Sequence, residues 1–131
     1  MSIDVAETAI VYPGTVLGEG CKILDYAVVG KQPTLGPRST TKREELPPVE
    51  LGPGTIVSTG AVVFAGSHLG ARVIVGDQAC VRERCAIGDD VVIGRGTLVE
   101  GEGDPLAAAR QGLAVVRTLE LLQESLDRAP A

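Results

Sequence analysis

From Leu51 onward an aliphatic residue falls on every sixth position: Leu51, Val57, Val63, Leu69, Val75, Val81, Ile87, Ile93 and Val99. Four residues after each comes a slim residue: Thr55, Ala61, Ser67, Val73, Ala79, Cys85, Val91, Thr97 and Gly103. The first part of the chain keeps the interval with Val5, Val11, Leu17, Ile23, Val29 and Leu35, followed by Ala9, Thr15, Cys21, Ala27, Pro33 and Ser39. Ordinary strands and helices have periods of about 2 and about 3.6, so neither explains the pattern. A sustained repeat takes precedence over local propensity.

Side chains alternate across a strand, so residues two apart share a face. The slim residue and the next aliphatic therefore both point inward, and the residue between them points out. The remaining residues turn a corner, as in Gly52-Pro53-Gly54, Gly88-Asp89-Asp90 and Gly94-Arg95-Gly96. Gly supplies the unusual φ that corners require. Three faces and three corners predict one triangular coil of eighteen residues. Successive coils stack at ~4.8 Å through parallel strand pairing. Leu51 is then expected under Leu69 under Ile87, and Val57 under Val75 under Ile93.

Three segments break the rhythm. Leu35 and Leu51 are sixteen residues apart, so the phase slips. The simplest account is two full coils, a protruding loop at 40–50, and three further coils. The loop is charged and carries Pro47-Pro48, which predicts extended chain outside the prism. It reads either as a tolerated surface insertion or as a loop that reaches over a neighbouring subunit to line a cleft. The second break, Val29-Gly30-Lys31-Gln32-Pro33-Thr34, puts Pro33 in a slim slot and removes a ladder donor. The third is the tail. Asp104-Pro105 reads as an N-cap followed by proline at the first helical position. Leu106, Leu113, Val116, Leu119, Leu122 and Leu126 then follow at helical spacings. The expectation is a β-helix over 1–104 and an amphipathic helix with its tail over 105–131, capping the open end or docking on a partner.

Composition narrows the picture. One Phe, two Tyr and no Trp suit a narrow interior filled by Val, Ile, Leu and Ala. A net charge of −5 with no basic cluster beyond Lys42-Arg43 argues against nucleic acid. No run approaches a membrane-spanning length and no basic-then-apolar leader opens the chain, so a cytoplasmic protein is expected. The three cysteines lack CxxC spacing. Cys21 and Cys85 occupy slim inward slots and read as buried thiols, whereas Cys80 falls in an outward slot.

The single histidine, His68, lies between inward Ser67 and Leu69 and is expected to point out of a flat face. Stacking puts Glu50 below it and Ala86 above. Taken alone, an outward histidine reads as a surface residue, and Glu50 is placed to orient its ring. The same stacking puts Phe64, Arg82 and Glu100 in one column, where Arg82 and Glu100 could pair. Glu83 and Arg84 read as solvated corner residues.

This pattern resembles the hexapeptide-repeat family over residues 5–104. The resemblance implies an all-β left-handed parallel β-helix of about five triangular coils with a C-terminal capping α-helix; the left hand comes from the resemblance alone. Family acyltransferases use a histidine on such a face, in a cleft between subunits of a trimer. The resemblance therefore implies a homotrimer, acetyl-CoA as co-substrate, His68 as base and a backbone amide as oxyanion donor, with Gly66 and Gly70 flanking His68. The segment 29–34 is similar to a turn of the sugar-modifying branch, which implies that Lys31 and Arg38 hold phosphate, Arg38 as a fork and Lys31 as a point charge. Both also read as solvated corner residues. Zinc-dependent carbonic anhydrases of the same fold need three histidines, so no metal is expected. Sugar-branch acyltransferases run for more coils than this chain has. The leading expectation is an acetyltransferase acting on an amino or hydroxyl group of a sugar or nucleotide-linked sugar. The alternatives are a catalytically silent scaffold and a nucleotide-sugar binding domain cut from a larger enzyme.

Overall fold

The computed structural model describes residues 2–34, 37 and 45–101. The expected tail helix and Arg38 lie outside the described residues. Among the described residues, fourteen short strands form three parallel sheets. The first contains β1 (Asp4–Val5), β4 (Lys22–Ile23), β7 (Ile56–Val57), β10 (Ile74–Val75) and β13 (Val92–Ile93). The second contains β2 (Ile10–Val11), β5 (Val28–Lys31), β8 (Val62–Phe64), β11 (Cys80–Val81) and β14 (Leu98–Val99). The third contains β3 (Val16–Leu17), β6 (Glu50–Leu51), β9 (His68–Leu69) and β12 (Ala86–Ile87). The strands rotate through the sheets in chain order, which makes four complete coils and two faces of a fifth.

The register follows the six-residue rhythm. Leu51 pairs with Leu69 and Leu69 with Ile87. Val57 pairs with Val75 and Val75 with Ile93. The inward aliphatics form one continuous core with Cys21, Ala27, Ala61, Val73, Ala79 and Cys85 in the slim slots between them. Two of the slim residues are both polar and fully enclosed, Thr55 and Ser67, and each ties neighbouring coils together. Thr55 Oγ1 donates to the Gly70 carbonyl at 2.9 Å and accepts from Val73 N at 3.2 Å. Ser67 Oγ donates to the Arg82 carbonyl at 2.6 Å and accepts from Cys85 N at 3.1 Å. Both hydroxyls are thereby satisfied in an apolar interior, where an unpaired one would cost about 1–3 kcal/mol.

Phase is recovered differently from the simplest expectation. Leu17 pairs with Leu51, so β6 supplies the third face of the second coil in place of the Leu35 hexad. The insertion begins at Gln32, directly after β5, and ends at Val49. Pro33 could not have donated to the ladder. Val49 is fully buried in the slim inward slot that precedes Leu51. A bulge between Val29 and Lys31 in β5 starts the departure, and Gly30 at its centre has φ 91°. A Cβ there would stand 2.5 Å from Thr15 Oγ1.

The residue just before each slim slot takes the left-handed conformation at most corners. Non-glycine residues Tyr26, Arg72, Gln78, Arg84 and Asp90 do so with φ between 57° and 61°, at six-residue intervals that coincide with the glycine corners. Each costs roughly 1–2 kcal/mol relative to an ordinary conformation. Two of these corners are stacked and tied by their side chains: Arg72 forks onto Asp90, Nε to Oδ1 at 2.6 Å and Nη2 to Oδ2 at 3.0 Å. The fork holds the Asp90 carboxyl below its ordinary range.

One corner column is glycine for a steric reason. A Cβ on Gly52 would lie 2.5 Å from the carbonyl carbon and oxygen of Gly70, one coil up. A Cβ on Gly88, in the same column, would meet nothing within 4 Å. Gly52→Ala is therefore expected to destabilise the fold by about 1–3 kcal/mol, while Gly88→Ala stays within about 0.5 kcal/mol of the parent. Urea denaturation of the two variants checks this contrast.

Burial pushes the Cys85 thiol from its ordinary 9.0 up to about 11, and burial also raises Cys21. The unfolded chain therefore loses the Cys85 proton near pH 9 while the folded chain keeps it. This contribution is fully present below pH 9 and is lost as pH rises toward about 11, at about 1.4 kcal/mol per pH unit. Denaturation at pH 8 and pH 10.5 is expected to show the loss, and Cys85→Ala is expected to reduce it.

Candidate active site

His68 is held by the coil on both sides of its own residue. Ser67 and Leu69 are buried and leave the imidazole no inward option. The His68 amide donates to the Cys85 carbonyl at 2.8 Å, and the Glu50 amide donates to the Ser67 carbonyl at 3.2 Å. Glu50 and His68 are register partners in the third sheet, and Ala86 is the partner of His68 on the other side. The expected column therefore exists. Its side chains meet: His68 Nδ1 lies 2.8 Å from Glu50 Oε2.

A carboxylate only accepts, so the bond fixes the proton on Nδ1 and leaves the Nε2 lone pair free. The side chains are 66% and 55% exposed. A hydrogen bond to a carboxylate this open contributes only about 0–1 kcal/mol to stability. Its chemical consequence is orientation, a ring fixed with a basic nitrogen facing solvent. Ala86 is too small to cover the ring from above.

The ends of the insertion are pinned beside this pair. Gln32 grips Leu46 twice, accepting from its amide and donating to its carbonyl, both at 2.9 Å. Pro47 O accepts from Gly66 N at 2.7 Å, at the corner that leads into β9. Glu50 follows four residues after Leu46. The clamp by Gln32 had no signature in the six-residue pattern, because a single amide in an irregular segment has no periodic partner.

The amides of both flanking glycines are already engaged. Gly66 N is taken by Pro47 and Gly70 N donates to Ile87 O at 2.8 Å. Both amides belong to the scaffold.

Lys31 lies at the next corner, on the second sheet. Its Nζ is 5.9 Å from the centre of the Phe64 ring, and Arg82 stacks on the same ring with Cζ at 4.3 Å. Arg82 thus joins the expected column with Phe64, but its Nε turns to Glu83 Oε2 at 3.1 Å, where Glu100 had been expected. Glu83 is correspondingly half-buried and departs from the solvated corner expected of it. The structure brings Glu50 to His68 and leaves Lys31 around the corner from them. Cys80 is partly buried, and burial raises its thiol while Arg82 opposes the shift. Among the described residues no three His, Cys, Asp or Glu side chains form a group able to hold a metal ion.

No family model matches the chain, and no curated protein matches it. Solved structures do. The acetyltransferase domain of PglB from Neisseria gonorrhoeae superposes with a TM-score of 0.54 at 21% identity, over 79% of this chain and 52% of that one. The chain has the fold of a left-handed parallel β-helix. A mutant GDP-perosamine N-acetyl transferase from Caulobacter crescentus, in complex with CoA and GDP-perosamine, matches at 25% identity over 76% of this chain and 49% of that one. The acyltransferase LpxA from Moraxella catarrhalis matches at 14% identity over 76% of this chain and 66% of its own. These two superpose with TM-scores of 0.46 and 0.40. The chain spans about half the length of the first two structures named.

The Nδ1–H assignment is directly measurable. Nitrogen-15 NMR of the His68 ring at pH 8 is expected to show a protonated Nδ1 and a bare Nε2. Glu50→Ala removes the acceptor and is expected to shift the population toward the Nε2–H form.

Proposed function

We propose that this β-helix is an acyltransferase that moves an acetyl group from acetyl-CoA to an amino or hydroxyl group of a sugar or nucleotide-linked sugar. The observation that carries the reading is the His68–Glu50 pair, an oriented imidazole at 2.8 Å from its carboxylate on an open flat face. In the reaction Nε2 takes a proton from the acceptor amine or hydroxyl as that atom attacks the thioester carbonyl. The tetrahedral intermediate collapses by breaking the carbon–sulfur bond. The coenzyme leaves as a thiolate, which recovers a proton from the imidazolium. Glu50 keeps Nδ1 protonated throughout and stabilises the imidazolium. Lys31 offers a point charge to an acceptor phosphate, with Arg38 as a second donor. The working form is a cytoplasmic homotrimer in which a neighbouring copy and the insertion complete the cleft, and no metal takes part. The acetyltransferase domain that shares the fold supports the reaction class.

A second reading has its own support. The chain matches only about half of that domain. A silent scaffold or oligomerisation module would need no more than the prism.

Release of free CoA thiol is measured with acetyl-CoA and a panel of amino sugars and nucleotide-linked amino sugars. Turnover is expected with at least one acceptor, and His68→Ala is expected to lower kcat/KM by about 10²–10⁴-fold. Glu50→Gln is expected to cost about tenfold or more through kcat. An unchanged rate in His68→Ala removes His68 from the mechanism. No turnover by the parent on any acceptor favours the scaffold.

A further inference from the structure

The three flat faces differ in what they turn outward. The first sheet presents Asp4 and Lys22 before Ile56, Ile74 and Val92. The second presents an apolar column, Ile10, Val28, Val62, Cys80 and Leu98. The third presents Val16, Glu50, His68 and Ala86, each in register with the next. In that third column the titratable pair lies between two apolar residues of unequal size. Val16 stands beside Glu50, on the side away from the imidazole. Ala86 stands beside His68, on the side away from the carboxylate.

The covalent shape of imidazole turns this order into a direction. Nδ1 and the Cδ2–Nε2 edge lie on opposite sides of the Cβ–Cγ bond. Nδ1 is held 2.8 Å from Glu50 Oε2, toward the lower coil. The Cδ2–Nε2 edge is therefore turned toward the upper coil, where Ala86 is the register partner. Neighbouring strands lie ~4.8 Å apart, and a methyl group fills little of the space between the upper strand and the Nε2 lone pair. The His68 side chain is 66% exposed, and Ala86 is exposed as well. An atom that gives its proton to Nε2 has to come within ~2.6–3.2 Å of it. The space over the Ala86 methyl holds such an atom and the carbon that bears it, and a longer side chain at 86 would fill that space.

We propose that Ala86 is a specificity-determining residue: the acceptor's amino or hydroxyl group reaches His68 Nε2 over the Ala86 methyl, and the size of residue 86 sets how bulky the carbon bearing that group can be. A ring-borne amino or hydroxyl group of a sugar sits on a branched carbon, and the two neighbouring ring carbons take the room that a methyl leaves. The opening over Ala86 rests on geometry alone, whereas the nature of its occupant rests on the acetyltransferase reading.

His68 is the single histidine of the chain. Its carbethoxylation by diethyl pyrocarbonate, followed by mass spectrometry of the peptide that contains it, therefore reads access to Nε2 without any substrate. Ala86→Leu is expected to slow that reaction by about tenfold or more, with Ala86→Ser close to the parent. Nitrogen-15 NMR is expected to show the same Nδ1–H form in all three proteins, which separates lost access from a lost Glu50 bond. With an acceptor that the parent turns over, Ala86→Leu is expected to lower kcat/KM for the acceptor by about tenfold or more and to leave KM for acetyl-CoA unchanged. An unchanged carbethoxylation rate overturns the proposal, and so does slower carbethoxylation with an unchanged acceptor kcat/KM. A raised KM for acetyl-CoA also overturns it, and assigns the space to the donor. No turnover by the parent on any acceptor removes the acetyltransferase reading and the occupant with it, while the carbethoxylation rates still decide the opening. Should Ala86→Leu disturb the fold or the Nδ1–H form, Ala86→Val gives the reading: slower carbethoxylation supports the opening, and no change overturns it.

Discussion

Everything in this molecule depends on the hydrogen-bonded ladder between coils. Each strand pair fixes residues one coil apart at the spacing of a parallel sheet, face to face and in register. With no broad core available, long-range contacts arise chiefly between stacked positions. Glu50 meets His68, Arg72 meets Asp90 and Phe64 meets Arg82 because each pair is stacked one coil apart. The interior obeys the same rule, since Thr55 and Ser67 each bond upward to the next coil.

The insertion shows how much disturbance the ladder accepts. It leaves from a corner, where backbone groups are not committed to a strand partner, and returns at the same level of the prism. Loop closure grows only slowly with length, so the added chain costs little once its ends are fixed. Gln32, Pro47 and buried Val49 fix them. The return point sets the chemistry. Because β6 completes the second coil, Glu50 stands one level below His68, and the two side chains meet on an exposed face.

The outward positions divide the prism into faces of different chemical character. Charge and the oriented imidazole lie on the third sheet, and continuous apolar surface lies on the second. Between them runs a corner where Lys31 and Arg82 gather on the ring of Phe64, with Glu83 compensating Arg82. A thin prism has no depth in which to bury a site, so function on this scaffold has to be built on faces, at corners and against whatever covers them.

The six-residue period by itself determined the triangular coil, the inward aliphatics, the slim slots with their buried thiols and the stacking of Leu51, Leu69 and Ile87. It also placed Glu50 under His68, because both follow a fixed offset within the repeat. That information is local, since each hexad repeats the same alternation and corner. What needed the tertiary structure was aperiodic. Leu35 fits the rhythm as well as Leu51 does, and only the pairing of Leu17 with Leu51 decides between them. The Gln32 clamp, the turn of Arg82 toward Glu83 and the commitment of the Gly66 and Gly70 amides depend on side chains and loops meeting across corners. A repeat fixes which residues stack, but the direction a long side chain takes from a corner is set by its neighbours in space.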